Sequence, residues 1–165
     1  MKILATGAAG FIGSNFVHLI AKERPDWLTR VYDVLTYAGS RANLINQANH
    51  EFFQGNICDA EKFTQAIEGC DLIVHFAAES HVTRSENDPD LFYRTNVEGT
   101  KTVLTEAKKR DIPVIHISTD EVYGPIVSGY FKESDKARGD SQATSAYAKS
   151  KSIADDIATA SMKDQ

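Results

Sequence analysis

The chain has 165 residues, which is the size of one domain and enough for a substantial core. With 42% hydrophobic and 25% charged residues and a net charge of −5, it has the composition of an ordinary globular protein. Its longest basic run is Lys108-Lys109-Arg110, so nothing in the sequence predicts binding to nucleic acid or to an acidic membrane surface.

The cysteines and the first residues favour a cytoplasmic protein. Cys58 and Cys70 form neither a metal-binding cluster nor a disulfide framework, which fits a reducing compartment. Met1 and Lys2 lead directly into the first predicted strand, so we expect no signal peptide. No apolar run reaches the length that spans a membrane. We expect the histidines on predicted strands to lie in the core, and we assign no metal site.

The first elements of the chain predict a phosphate-binding loop between a strand and a helix. Residues 3–5 suit a buried parallel strand, and apolar residues recur at helical spacing from Ile12 onward. Between them lie Gly7, Gly10 and Gly13, spaced G-x-x-G-x-x-G rather than the standard G-x-G-x-x-G. A helix N-terminus offers unpaired N–H groups to a diphosphate, and glycines allow the backbone to approach it closely. Three glycines can also form only a turn and a packing contact.

The second predicted strand, residues 31–35, carries a carboxylate where a dinucleotide site needs one. Asp33 follows Gly13 by 20 residues, the spacing at which an acidic side chain binds the adenosine ribose. An Asp near a strand end can also be an ordinary surface residue. Together with the glycine loop, the spacing favours ribose binding, and it favours NAD over NADP because a carboxylate repels a 2′-phosphate.

The rest of the chain alternates strands and helices, which predicts an α/β fold with a doubly wound parallel sheet, the Rossmann fold, as one domain over residues 1–165. Further strands are predicted at 51–54, 71–76 and 113–118, and helices at 41–47, at 60–67, after Asp88-Pro89 and from Ser145. Right-handed crossovers give the sheet order 3-2-1-4-5, with ligands across the C-terminal strand ends. Residues 124–144 predict a long loop that is functional or mobile.

Two groups of polar residues near that ligand edge can carry acid–base chemistry. Tyr147 and Lys151 are four apart on a helix, and a nearby ammonium lowers the pKa of a phenol, so the pair can form a general base for a sugar hydroxyl. Most Tyr/Lys pairs at this spacing only pack. Thr119, Asp120 and Glu121 follow the fifth strand. They can supply a matched acid and base, although an Asp-Glu pair is more often part of a turn.

Six motifs in the same order along nearly the whole chain resemble the extended short-chain dehydrogenase/reductase (NAD-dependent epimerase/dehydratase) family. They are TGAAGFIG, Asp33 with LTYAGS, HFAAESHVTRS, RTNVEGT, ISTDEVYG and YAKSK. Within the family, TDEVYG is most similar to the motif of the dTDP-glucose 4,6-dehydratases. Epimerases typically lack the carboxylate pair, and UDP-glucuronate decarboxylases typically have Ser between Thr and Glu.

The resemblance implies NAD as the cofactor and a role for each matching position. By this resemblance the cofactor-binding residues are Gly7, Gly10, Phe11, Ile12 and Gly13 at the diphosphate, Asp33, Leu35 and Thr36 at the adenosine ribose, Asn56 and Ile57 at adenine, Ala77, Ala78 and Thr95 along the path to the nicotinamide, and Tyr147 with Lys151 at its ribose.

The resemblance also implies catalysis by Thr119, Asp120, Glu121, Tyr147 and Lys151, in a lyase that converts dTDP-glucose to dTDP-4-keto-6-deoxyglucose and water. Tyr147, tuned by Lys151 and with Thr119 beside the same oxygen, would take the proton of the C4 hydroxyl while hydride passes from C4 to NAD. Glu121 would remove the C5 proton, and Asp120 would protonate the departing C6 hydroxyl. The hydride then returns to C6, so the cofactor is regenerated in each turnover.

Three positions and the length depart from the family pattern. Asn56 stands where Asp is usual, Thr83 replaces the Asp of ESHVDRS, and Ala148-Lys149-Ser150 replaces Ser-Ala-Ser. These changes keep the catalytic residues and leave the base and sugar of the substrate open. Full members are about twice as long, and their C-terminal part binds the nucleotide of the substrate. We therefore expect a cofactor-binding half without its substrate lobe, inactive alone and a homodimer when complete.

Two alternatives remain open. A UDP-sugar 4-epimerase or a decarboxylase of the same family would be separated by its product: inversion at C4, or carbon dioxide, instead of loss of water. A non-enzymatic dinucleotide-binding module is permitted by the fold alone. Such a module has no need of the Thr119-Asp120-Glu121 or Tyr147/Lys151 groups, which argues against it.

Overall fold

Five parallel strands form one sheet in the order 3-2-1-4-5, which confirms the predicted topology. The structure, a computed structural model, describes residues 1–44, 49–132, 135 and 144–163. The strands are β1 (Lys2–Thr6), β2 (Leu28–Asp33), β3 (His50–Gln54), β4 (Leu72–His75) and β5 (Val114–His116), and all neighbouring pairs are parallel. The strand order reverses at β1, between β2 and β4, so the switch point of the sheet lies where the glycine loop leaves β1.

Helices connect the strands as the alternating pattern predicts. They are α1 (Phe11–Glu23), α2 (Ala60–Ala66), α3 (Val82–Asn87), α4 (Pro89–Phe92), α5 (Thr100–Lys108) and α6 (Ala146–Lys163). A π-helical segment (Tyr93–Gly99) joins α4 to α5, and 3-10 helices form at Arg41–Leu44 and Asp120–Tyr123. The predicted cap of α2 is confirmed, because Asp59 Oδ1 accepts a hydrogen bond from the Lys62 N–H at 3.1 Å. None of the described helices is long and apolar enough to cross a membrane.

Several predicted boundaries were wrong, each for a local reason. The second strand ends at Asp33, because Leu35 has a positive φ of 61° and its N–H turns back to Asp33 Oδ1 at 2.8 Å. The predicted helix at 41–47 is a 3-10 helix over Arg41–Leu44, and residues 45–47 lie outside the described residues. The fifth strand has only three residues, Val114–His116. Helix α3 was not predicted, since its sequence lacks an apolar period and lay in a predicted loop.

The fold divides into two compact units. The first, the sheet unit, comprises Met1–Ala77 and Thr102–Ile117 and contains all five strands. The second, the helical unit, comprises Ala78–Lys101 and Ser118–Gln165 and contains α6 and the 3-10 helix Asp120–Tyr123. A single domain over residues 1–165 stays a prediction from the sequence.

The core of the sheet unit consists of two apolar clusters that β1 separates. Leu4 packs with Tyr32 and Phe63 in one cluster, and Ala5 packs with Val17 in the other. Neighbouring strand residues point to opposite faces, so each cluster covers one face of the sheet. Full burial of a side chain such as Phe63 contributes about 1.5–3 kcal/mol, and burial on both faces explains why β1 is apolar without alternation.

Candidate functional site

The loop between β1 and α1 can hold two of its glycines only because they lack side chains. Gly7 has a φ of +65°, and a Cβ there would lie 2.5 Å from Cα of Ala77. A Cβ on Gly13 would lie 2.5 Å from Cα of Ala8. Packing therefore accounts for these two positions, whereas a Cβ on Gly10 would meet only the Gly7 carbonyl oxygen, at 3.2 Å. The loop thus brings the backbone unusually close to its neighbours, as a diphosphate cradle requires.

Helix α1 begins at this loop with its first turn open. Gly10 is its N-cap residue, and neither a side-chain cap nor an acidic residue in the first turn shields that end in the described structure. Phe11 and Ile12 are 82% and 64% exposed, although both are large apolar residues. A helix start with unpaired N–H groups and exposed apolar neighbours fits an anionic ligand that also has flat apolar parts.

Asp33 lies beside the glycine loop, with both carboxylate oxygens held in place. Its Oδ2 accepts a hydrogen bond from the Ala9 N–H at 2.9 Å, and its Oδ1 accepts one from Leu35 N–H at 2.8 Å. The residue is only 7% exposed. A Cβ on Gly39 would come within 2.8 Å of Oδ1, so the backbone after β2 packs closely against that oxygen. The structure therefore brings together the two halves of the predicted dinucleotide motif.

The other residues expected to bind the cofactor in the sheet unit differ in what their side chains can do. Asn56 is exposed, and its Oδ1 accepts a hydrogen bond from the Cys58 N–H at 2.9 Å in a local turn. Ile57 is 4% exposed and belongs to the core, so its side chain packs. The side chain of Thr36 is exposed. Ala77 donates its backbone N–H to Thr6 Oγ1 on β1 at 3.2 Å.

Within the helical unit, the structure brings Thr119 to Tyr147, and Lys151 lies one turn later on the helix that carries Tyr147. Tyr147 is half-buried and makes a side-chain hydrogen bond with Thr119, which lowers the pKa of the phenol. Burial is the larger effect and raises the pKa of Tyr147, and the charges of Glu121 and Asp120 raise it further. Lys151 is 4% exposed, and burial lowers the pKa of its ammonium to about 8.

The expected direction of the Tyr147 pKa shift was therefore wrong. The sequence argument relied on Lys151 to lower this pKa, but desolvation disfavours the phenolate more strongly. The same burial disfavours the charged form of Lys151. Because helical spacing says nothing about desolvation, the pattern Tyr-x-x-x-Lys alone could not have revealed this.

The carboxylate pair lies in a 3-10 helix that Thr119 caps. Thr119 Oγ1 accepts a hydrogen bond from the Glu121 N–H at 3.3 Å, and it lies 3.3 Å from Asp120 Oδ1. Val122 is 2% exposed and anchors the turn, while Asp120 and Glu121 are exposed. The turn interpretation of the pair is thus correct for its backbone, and it leaves both carboxylates accessible next to the Thr119–Tyr147 hydrogen bond.

Two residues that the sequence reasoning missed hold the helix that carries Tyr147. Asn96 is 1% exposed. Its Oδ1 accepts a hydrogen bond from the Glu79 N–H at 2.8 Å, and its Nδ2 donates one to the Glu79 carbonyl at 2.9 Å. Its Nδ2 also donates to Ser150 Oγ at 2.9 Å, and Ser150 Oγ in turn donates to the Tyr147 carbonyl at 2.8 Å. A polar residue amid the buried positions of RTNVEGT was the available signal. Thr95, the residue singled out instead, is half-buried.

A second missed pair connects the carboxylate turn to α6. Ser118 Oγ donates a hydrogen bond to Asp155 Oδ2 at 2.7 Å. Asp155 lies four residues after Lys151, hence on the same helix face, and its charge opposes the lowering of the Lys151 pKa. The i+4 spacing of a carboxylate from a buried lysine was the signal. Among the described residues, no group of three or more metal-ligating side chains lies close enough together to hold a metal ion.

Residues 3–165 match the model of the NAD dependent epimerase/dehydratase family. The chain therefore belongs to this family. It is 47% identical over 127 residues to a dTDP-glucose 4,6-dehydratase of Mycobacterium tuberculosis, covering 76% of this chain and 38% of that protein. It is also 48% identical over 139 residues to the low-salt glycan biosynthesis protein Agl12 of Haloferax volcanii, covering 82% of this chain and 44% of that protein.

Solved structures agree. DesIV, a dTDP-glucose 4,6-dehydratase from Streptomyces venezuelae crystallised with NAD and TYD bound, superposes with a TM-score of 0.91 at 45% identity. The match covers 99% of this chain and 52% of DesIV. A UDP-glucose 4-epimerase from Brucella ovis in complex with NAD has a TM-score of 0.85 at 28% identity, covering 96% of this chain and 47% of the epimerase. The chain thus spans about half the length of these relatives or less.

Proposed function

We propose that this chain is the cofactor-binding and catalytic half of an NAD-dependent dTDP-glucose 4,6-dehydratase. The observation that carries the proposal is the hydrogen bond between Thr119 and Tyr147, with Asp120 and Glu121 in the same turn as Thr119. Oxidation of an alcohol needs a base such as Tyr147 with its partner Thr119. The elimination of water needs an additional acid and base, which Asp120 and Glu121 can supply. The resemblance to dehydratases, at higher identity than to epimerases, supports the same choice.

The residues of the sheet unit fit NAD. The close-packed backbone at Gly7 and Gly13 and the open first turn of α1 suit a diphosphate, and the fixed carboxylate of Asp33 suits the two hydroxyls of a ribose. DesIV and the Brucella epimerase were both crystallised with NAD. When bound, NAD supplies an acceptor for the hydride of the sugar C4 and later the donor of that hydride to C6.

Tyr147 would act on the C4 hydroxyl. Since burial raises the pKa of its phenol, Tyr147 is protonated near neutral pH and needs help to accept the proton of the sugar. Thr119 stabilises the phenolate by its hydrogen bond, and Lys151, with a pKa of about 8, is mainly cationic at pH 7. These two residues would therefore set how readily Tyr147 removes the proton.

Asp120 and Glu121 would carry out the elimination. The 4-keto group acidifies C5, so a carboxylate can remove the C5 proton while a carboxylic acid protonates the departing C6 hydroxyl. By the resemblance, Glu121 is the base and Asp120 the acid. Their exposure in the described chain leaves them accessible to a sugar, and one turn of backbone holds them next to Thr119.

The proposal can be tested in a hybrid enzyme in which residues 1–165 replace the matching half of DesIV. Single-turnover mixing with dTDP-glucose is followed by NADH absorbance and by the amount of dehydrated product. Asp120→Asn and Glu121→Gln should still form NADH but should dehydrate about 10²- to 10⁴-fold more slowly, because each removes one proton-transfer group. Tyr147→Phe should instead prevent NADH formation.

The matched control is Asn87→Ala, a change at an exposed side chain of α3 that should alter neither step. If both carboxylate variants dehydrate at the parental rate, the pair is only a turn, and Asp120 and Glu121 are not the acid and base of the elimination. Inversion at C4 without loss of water by the unsubstituted hybrid would instead identify a UDP-sugar 4-epimerase, and carbon dioxide from a glucuronate substrate would identify a decarboxylase. The homodimer and the cytoplasmic location stay predictions from the sequence.

A further inference from the structure

The last residue of β2 and residues that follow it hold both polar groups of the Ala9 backbone, directly before Gly10 in the glycine loop. The Ala9 N–H donates to Asp33 Oδ2 at 2.9 Å. The Ala9 carbonyl accepts two hydrogen bonds, from Ser40 N–H at 3.0 Å and from Asn43 Nδ2 at 2.8 Å. Ala9 itself is fully buried. Three hydrogen bonds therefore fix the orientation of both backbone polar groups of this one small residue.

The side chain of Asn43 reaches Ala9 from a segment that is itself held firmly. Asn43 lies in the 3-10 helix Arg41–Leu44, where its N–H donates to the Ser40 carbonyl at 3.1 Å. Leu44 is 4% exposed and packs in the same apolar cluster as Ala9. His18 Nε2 lies 2.9 Å from the Asn43 carbonyl, which adds a contact to α1. Asn43 is thus anchored on both sides, so its amide group acts from a fixed position.

The geometry of the peptide bond makes this anchor relevant to the loop. The Ala9 carbonyl and the Gly10 N–H belong to one planar peptide group, so a carbonyl held in place also fixes the direction of that N–H. Gly10 is the N-cap of α1, and α1 has no side-chain cap of its own in the described structure. The Gly10 N–H donates to the Gly7 carbonyl at 3.2 Å, so the plane that Asn43 holds closes the turn from which α1 starts.

We propose that Asn43 is a positioning residue for the dinucleotide loop. Its amide fixes the Ala9–Gly10 peptide plane, whose N–H closes the turn onto the Gly7 carbonyl, and thereby sets where the first turn of α1 stands relative to the diphosphate of the cofactor. This inference rests on the proposed binding of NAD, but Asn43 itself lies outside the residues assigned to NAD above. If Asn43 had a purely structural role, its loss would lower the stability of the loop and would weaken the binding of NAD and of adenosine to the same extent.

The test uses the 165-residue chain and two substitutions. Asn43→Ala removes the amide, and Asn43→Asp keeps its size but replaces the donor with an oxygen that repels the Ala9 carbonyl. Loss of one such hydrogen bond should weaken NAD binding about threefold to tenfold in calorimetric titrations. Adenosine, which has no diphosphate, should bind as it does to the parent chain in NMR titrations. Asn87→Ala, which removes a comparable amide-to-carbonyl bond on α3, is the matched control.

A second measurement needs no ligand. Amide hydrogen exchange at Ala9 and Gly10 should be faster in both Asn43 variants, whereas β4 should exchange as in the parent chain. Parental NAD affinity with parental exchange would overturn the proposal, and so would an equal loss of NAD and adenosine affinity with a lower melting temperature. If the parent chain fails to bind NAD, the proposed cofactor is wrong, and the exchange rates still decide whether Asn43 fixes the loop.

Discussion

A buried lysine is a costly residue, and burial acts strongly on Lys151. It is 4% exposed, and burial lowers the pKa of its ammonium to about 8 from 10.5. The charge of Asp155 offsets only part of the desolvation. A group kept in a site that destabilises its charged form indicates a role in chemistry rather than in folding.

Lys151→Met should therefore stabilise the fold while removing activity. Met is apolar and of similar length, so the expected gain is about 1–3 kcal/mol at pH 7. The pKa of Lys151 is lower in the folded chain, so the unfolded chain binds more protons between pH 8 and 10.5, and parental stability rises with pH in that window. The advantage of the variant should thus be largest below pH 8 and fade toward pH 10.5, as urea unfolding at several pH values would show. An advantage independent of pH would contradict the assigned cause.

Asp33 combines recognition with structure at a single side chain. Because its Oδ2 accepts the N–H of Ala9, the carboxylate that we propose to bind the ribose also fastens the glycine loop. Asp33→Ser should therefore lose NAD affinity without gaining useful NADP affinity, since the shorter side chain cannot reach Ala9. Titration of the parent and the variant with both cofactors checks this, and tighter NADP than NAD binding by the parent chain would refute the selectivity.

At the scale of elements, the hydrogen bond between Ser118 and Asp155 connects the start of the carboxylate turn to α6. It spans 37 residues of sequence and lies within the helical unit, at 2.7 Å. Asp155 also influences both Tyr147 and Lys151 electrostatically. The turn and the helix should therefore keep Thr119 at Tyr147 as one assembly.

A double-mutant cycle in the hybrid enzyme should measure this connection. Ser118→Ala and Asp155→Asn should each slow NADH formation about fivefold to tenfold, as expected for loss of one exposed hydrogen bond of about 1 kcal/mol. Their effects should not add in the double variant, because each removes the same bond. Ser118→Thr, which keeps the hydroxyl, should restore most of the rate. Additive losses would mean that the two residues act separately.

The sequence predicted the elements that follow from periodicity and glycine spacing, and missed those that depend on partners distant in the chain. The sheet order and the pairing of Gly7–Gly13 with Asp33 could be predicted, because parallel crossovers and motif spacing are local rules. The positions of Asn96 and Asp155 carried a signal, but their partners could not be predicted, since a side-chain hydrogen bond across many residues leaves no period. The pKa of Tyr147 could not either, because it depends on burial.

At the scale of the whole molecule, the chain carries the residues proposed to bind NAD and to catalyse the reaction, but it spans about half the length of its relatives or less. We predict that the purified 165-residue chain binds NAD weakly and does not turn over dTDP-glucose. Calorimetry measures the first property, and a product assay with the hybrid enzyme as positive control measures the second. Turnover at a rate comparable to that of the hybrid would contradict the prediction.

The two edge strands of the sheet differ in the charged side chains that discourage pairing with a strand of another molecule. At β3, Glu51 forms ion pairs with Lys2 and Arg30, and charge at an edge discourages pairing with a second strand. At β5, the three residues Val114–His116 contain no acidic or lysine side chain, and Ile115 is 50% exposed. Strand pairing between molecules should therefore start at β5, and self-association of the chain should increase with its concentration. Ile115→Lys should reduce this self-association, as light scattering at several protein concentrations would show, without altering the sheet.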